Sequence, residues 1–136
     1  MKTAFRALTV AAALVCATPL AHAQTLRWAA QNDVLTLDPH SQNHSTTSAL
    51  LQHTYEGLTR YTRDYQVEGA LATDWKPISP TQMRFNLRKG VKFQDGTPFT
   101  ADDVVFSFGR INSPHSSLKP FVAGITEVKK VDSHTV

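Results

Sequence analysis

Between Met83 and Arg110 the chain reads MRFNLRKGVKFQDGTPFTADDVVFSFGR, and its hydrophobic period changes from two residues to a helical repeat across one turn. Met83, Phe85 and Leu87 alternate with Arg84, Asn86 and Arg88, the pattern of a strand with one buried and one wet face. Lys89-Gly90 interrupts that strand, and Val91 and Phe93 resume the alternation. Asp95-Gly96 followed by Pro98 marks a turn, because glycine accepts positive φ and proline fixes its own. A helix is predicted to follow. Thr100 is placed to cap it, and Asp102 and Asp103 fall in a first turn where the helix dipole favours negative charge. Val104, Phe108 and Ile111 then share a face at i, i+4 and i+7, with Val105 beside them.

The stretch LRKGVKFQDGTPFTADDVVFSFGR resembles the diagnostic segment of the extracytoplasmic solute-binding proteins of the peptide, opine and nickel class, which feed ABC importers. YEGLTRY at Tyr55–Tyr61 and LATDWKPISPTQMRFNLRKGVKF at Leu71–Phe93 resemble the same family in the same order. The resemblance implies an α/β protein of the periplasmic-binding-protein type, with the two-lobed, type II fold of the large peptide-binding class. Members run to several hundred residues. The resemblance therefore implies that these 136 residues hold only the N-terminal part of the first lobe and its β-rich subdomain, as a truncated or fragmentary product.

Residues 1–23 read as a secretory signal peptide and 24–136 as the start of the solute-binding domain. Lys2 and Arg6 precede an apolar run from about Ala7 to Val15, and Ala21-His22-Ala23 fits a small-x-small cleavage pattern, with the cut after Ala23. The run is too short to span a bilayer. Cys16 is the only cysteine and lies inside this leader; Leu14-Val15 before it do not suit lipidation. No disulfide or thiol chemistry is expected of the remainder, which is compatible with an oxidising compartment. Removing Lys2 and Arg6 takes the formal charge from +3 to +1, so the basic balance owes much to the leader. Nucleic acid is not an expected partner. With 41% apolar and 18% charged residues, the chain is of the globular class.

Thr25 to Ala30 is expected to form a first strand, extended by Leu35-Thr36-Leu37 until Asp38-Pro39 breaks it. The polar run His40-Ser41-Gln42-Asn43-His44-Ser45-Thr46-Thr47 follows. By the resemblance, this segment runs along the mouth of the cleft between lobes. His44, Ser45, Thr46 and Thr47 are the candidate ligand-binding residues, since hydroxyls, an imidazole and the N–H groups of a helix start suit a polar ligand such as a carboxylate. The alternative is that Ser45, Thr46 or Thr47 simply caps the helix within a solvated loop. A helix is expected from about Thr46, burying Leu51, Tyr55 and Leu58 and ending at Gly57.

Residues 59–68 suggest an edge strand and turn. A strand at Asp74-Trp75 and a hairpin loop at Pro77–Pro80 lead to the Met83 strand, with Trp75, Phe85 and Phe93 as core anchors. Asn112–Pro120 reads as a surface loop in which His115 and Leu118 are possible secondary contacts. GITEVKKVDSHTV, from Gly124, is similar to a family hairpin: one strand, an Asp-Ser turn and the opening of a second.

No catalytic residue, cofactor or metal is implied. Arg88-Lys89-Gly90-Val91-Lys92 lacks the glycine spacing of a phosphate loop, and no nucleophile motif is present. His40, His44, His53 and His115 do not have the spacing of a bare-ion site. The resemblance implies a monomeric periplasmic component of an ABC importer. It would capture a dipeptide or oligopeptide and deliver it to permease subunits, with separate subunits hydrolysing ATP. Opines, glycosides, a nickel chelate or a nonfunctional truncated product are the alternatives.

Overall fold

The computed structural model describes residue 25 and residues 27–136, so the expected leader and its cleavage point lie outside the described residues. In chain order the elements are helix α1 (Ser45–Leu51), strands β1 (Thr59–Tyr61), β2 (Val67–Gly69), β3 (Ala72–Ser79) and β4 (Gln82–Leu87), helix α2 (Ala101–Ile111), and a 3-10 turn, η1 (Lys119–Val122). Two antiparallel hairpins, β1-β2 and β3-β4, carry the strand pairing.

β3 and β4 form where the sequence alternates, and their register sets Trp75 opposite Phe85. The two rings stack at 6.2 Å with planes 22° apart, a cross-strand aromatic contact that helps hold this register. Beside it, Asn86 Nδ2 donates to Asp74 Oδ1 at 2.6 Å. β3 runs through Pro77 to Ser79, so the expected Pro77–Pro80 loop shortens to Pro80-Thr81. Pro77 pairs with Met83 next to a register irregularity, a position where a missing N–H is tolerated.

The chain returns to this hairpin at its last residues. Phe85 N–H donates to Val136 O at 2.9 Å, Val136 N–H to Phe85 O at 3.1 Å, and Leu87 N–H to His134 O at 2.8 Å. The turn that permits it is fastened by Asp132 Oδ1, which accepts the His134 N–H at 2.7 Å. The Asp-Ser turn and the opening of a second strand are thus present. The preceding strand expected from Gly124 is not: residues 124–130 are irregular.

The core lies between the β3-β4 hairpin and α2. Leu87, Phe99, Ala101 and Val104 are buried, and Leu58, Leu71, Val91, Phe108, Val128 and Val136 pack around them. Phe93, expected as an anchor, is 47% exposed. Gly90 and the Asp95-Gly96 turn fold residues 91–99 into a loop, closed by Phe99 N–H to Val91 O at 3.0 Å. Phe93 therefore sits near the tip of the loop, edge-on to Phe99 at 6.2 Å, and Phe99 takes the buried position. Gly96 has φ +87°, as the turn chemistry requires.

α2 has the expected start. Asp103 Oδ2 accepts the Thr100 N–H at 2.7 Å and its hydroxyl at 3.2 Å, a capping box. α1 is shorter than the periodicity suggests. His53 Nδ1 lies 3.0 Å from Ala49 O, the carbonyl that the His53 N–H would use in a continuing helix, and that N–H turns to Leu50 O instead. The helix tightens and stops at Leu51, before Gly57. Tyr55 is consequently outside it and 48% exposed, contrary to a core role.

Among the described residues, the first strand expected from residues 25 to 37 does not form: residues 27–37 are irregular and almost wholly exposed. A strand needs a neighbour for its backbone groups, and no described strand lies against it. Among the described residues, no helix is long and apolar enough to cross a membrane.

Candidate functional site

The polar run begins at a turn built by Asp38. Its Oδ1 accepts the His40 N–H at 3.0 Å, its carbonyl accepts the Ser41 hydroxyl at 3.3 Å, and its N–H donates to Thr36 Oγ1 at 3.0 Å. Short acidic side chains favour this local bonding, which is why Asp-Pro breaks regular structure here.

Four residues from elsewhere hold the run in place. Arg110, in the last turn of α2, donates to Asp38 Oδ2 at 2.7 Å. The His40 carbonyl accepts both the Ser116 hydroxyl and the Ser117 N–H at 3.1 Å. The Ser117 hydroxyl reaches Ser41 O at 2.9 Å. On the other side, Tyr55 donates from its hydroxyl to Leu37 O at 3.0 Å. The aromatic expected on a helix face is a tie to the entry of the run.

The four candidates fall into different positions. His44 is the N-cap residue of α1 in extended geometry, with no side-chain cap bond, so none of the hydroxyls at 45–47 caps the helix from the N-cap position. Ser45 is exposed and Thr46 half-buried. Thr47 is 1% exposed, and its Oγ1 accepts the Leu35 N–H at 3.2 Å, which fixes the preceding segment to α1. His40 Nδ1, Gln42 Nε2 and His44 Nδ1 are buried atoms without a hydrogen-bond partner. Groups of this kind cost about 1–3 kcal/mol each until a ligand or solvent pairs them.

A shallow recess of about 50 Å³ opens between the run and the loop after α2, lined by Asp38, His40, Ser41, Arg110, Ser113, His115 and Ser116. It brings His115 beside His40, whereas His44 to Thr47 lie outside its lining. Its charges balance. The His40 N–H above all, helped by the Arg110 guanidinium, holds the Asp38 carboxyl below its usual 3.8, against the opposing effect of burial. Burial, then Arg110, push the His40 imidazole below its usual 6.5, while Asp38 opposes them. At neutral pH His40 is uncharged, and Arg110 faces Asp38 alone.

The hydroxyls of Ser41, Ser116 and Ser117 all donate to carbonyls, so none is paired with an imidazole as an activated nucleophile requires. An imidazole–hydroxyl contact does occur away from the run, His134 with neighbouring Ser133 at 3.1 Å, on an exposed turn. Among the described residues, no group of three His, Cys, Asp or Glu side chains is placed to hold a metal ion. The arrangement offers hydrogen bonds in fixed positions, which suits binding.

A larger hollow, about 480 Å³, lies between β4 and the Asp132–Thr135 turn, with Lys89 and His134 in its lining. It contains none of the four candidates. Asp38, Arg110, Ser116 and Ser117 were not singled out as site residues by sequence reasoning. Asp38 showed only as a breaker, and nothing local links it to a residue 72 positions away.

The profile described as bacterial extracellular solute-binding proteins, family 5 Middle, matches residues 66–136. The periplasmic oligopeptide-binding protein OppA of Escherichia coli K12 is 32% identical over 136 aligned residues, covering 86% of this chain and 25% of the relative. The probable deoxycholate-binding periplasmic protein YgiS of the same strain is 32% identical over 111 residues, covering 81% of this chain and 21% of the relative. Among solved structures, NikZ from Campylobacter jejuni in complex with Ni(L-His) superposes with a TM-score of 0.69 at 27% identity, covering 76% of this chain and 21% of that one. The chain thus spans a quarter or less of the length of these relatives.

Proposed function

Because the chain belongs to the bacterial extracellular solute-binding proteins of family 5, with the α/β fold of the periplasmic binding proteins and only part of that fold, we propose that it acts in solute capture for an ABC importer. In this reading the whole protein is the periplasmic substrate-binding component. It reaches the periplasm through a leader cut after Ala23, binds a dipeptide or oligopeptide as a monomer, and presents it to permease subunits served by separate ATPase subunits.

The observation that carries the reading is the family match over residues 66–136; similarity to an oligopeptide-binding protein across 86% of the chain supports a peptide as the ligand. His44, Ser45 and Thr46 are the contacts proposed here. The His44 imidazole and the exposed Ser45 hydroxyl supply polar groups at the start of α1. Thr47, with its hydroxyl engaged by Leu35, supports them from beneath. A ligand bound to both lobes stabilises the closed arrangement over the open one only by the difference in its contacts.

The test is a thermal-shift and calorimetric screen of the product of the full reading frame against dipeptides, longer peptides, opines, glycosides and nickel chelates. Binding to the native state alone must raise its stability. Stabilisation by peptides is the expected result. Stabilisation by another class replaces the ligand assignment, and no response to any class overturns solute capture.

A further inference from the structure

We propose that Arg110 is a positioning residue for the polar run at 40–44, acting through Asp38; the consequence for ligand affinity rests on the solute-capture reading above. α2 is seated in the core by Ala101 and Val104, with Phe108 packed against the same cluster. Its last turn therefore presents Arg110 from a fixed place. Arg110 takes Asp38 Oδ2 at 2.7 Å, while Oδ1 of the same carboxylate takes the His40 N–H at 3.0 Å. With one oxygen committed to each partner, the carboxylate cannot rotate without losing a bond. The orientation of the His40 peptide is thereby tied to the end of α2.

The loop that follows α2 secures the next peptide, His40–Ser41, through the Ser116 hydroxyl and the Ser117 N–H on the His40 carbonyl. The pair is roughly half exposed, and such pairs add little to global stability. Its effect is local. His40, Gln42 and His44 each keep a buried side-chain nitrogen that no protein group bonds, so a freed run would turn these atoms towards water. The latch opposes that relaxation, which keeps the run in one conformation before any solute arrives. A preordered contact surface loses less conformational freedom on binding.

Hydrogen exchange followed by mass spectrometry, on the full reading-frame product without ligand, tests the latch by itself. Arg110→Gln should speed exchange of the His40 and Ser117 amides, both hydrogen-bonded at the latch, about fivefold, the size expected when a local opening is eased by one ion pair. Exchange in β3 and β4 should stay unchanged, and Arg110→Lys should recover most of the protection. Unchanged exchange at His40 and Ser117 overturns the latch. Faster exchange throughout the protein also overturns it, since Arg110 would then be a general stability residue.

Calorimetry with the peptide that most stabilises the wild type supplies the second arm, where an affinity loss of about three- to tenfold in Arg110→Gln is expected. Equal affinity despite faster exchange overturns the link between latch and ligand. A wild type that binds no peptide overturns the peptide reading, while the exchange result still decides the latch.

Discussion

Leu87 is 3% exposed, at the end of β4 where the hairpin meets α2. Its neighbours on the same strand face, Phe85 and Met83, are progressively more open, so the strand buries mainly one end. Leu87→Ala should cost about 2–5 kcal/mol in urea unfolding, because the groups of its cluster come from separate segments of the chain that cannot collapse together into the space. His40 gives a pH-dependent prediction. Its folded-state pKa is depressed below 6.5, so the unfolded chain takes up the proton first as pH falls. The contribution is present above pH 6.5 and lost progressively below it. Asp38, also depressed, contributes stability above 3.8 that is lost on further acidification. A His40→Asn variant should therefore show a flatter loss of stability between neutral pH and about pH 5, read from denaturation midpoints across that range.

Among the elements, α2 follows its own sequence most closely. Its cap, first-turn acids, buried face and last-turn Arg110 are all local features, and the capping box shows that Asp103 does more than complement the dipole. Asp103→Ala should cost about 0.5–2 kcal/mol, measured by chemical denaturation, with Asp103→Glu recovering part of it as a capping-box residue. The β2-β3 junction is held by a closer contact. A methyl group added at Gly69 would clash with the Ala72 carbonyl oxygen, a backbone atom. Gly69→Ala should destabilise by about 1–3 kcal/mol, because relief requires moving the strand start. α1 diverges from its periodicity. Leu51, Tyr55 and Leu58 have helical spacing, but His53 competes for a helix carbonyl, and Leu58 reaches the core from beyond the helix.

At the scale of the molecule, residues 134–136 pair by backbone hydrogen bonds with β4, far earlier in the chain. Val136 both accepts from and donates to Phe85 and packs on the core. Val136→Pro removes the donor and should cost about 1–3 kcal/mol, with earlier unfolding in denaturant and faster exchange of the Leu87 amide. Trp28, Leu35, Leu37, Phe106 and Phe121 are all at least two-thirds exposed. Their apolar character is plain in the sequence, whereas the described residues do not cover them. That explains the absent first strand: alternation supplies an apolar edge, and pairing requires a second one.

By itself, the sequence determined what depends on neighbours a few positions apart: the Asp95-Gly96 turn, the cap and buried stripe of α2, the alternation of β4, and the linked motifs that mark the family. Backbone preference and side-chain period act over that range. Tertiary structure decided which of two phenylalanines is buried, where α1 stops, and that Tyr55 ties down Leu37 instead of filling the core. It also decided that Arg110 meets Asp38 across 72 positions. Such contacts depend on where the folded backbone carries distant residues, and their geometry is not encoded in either local segment.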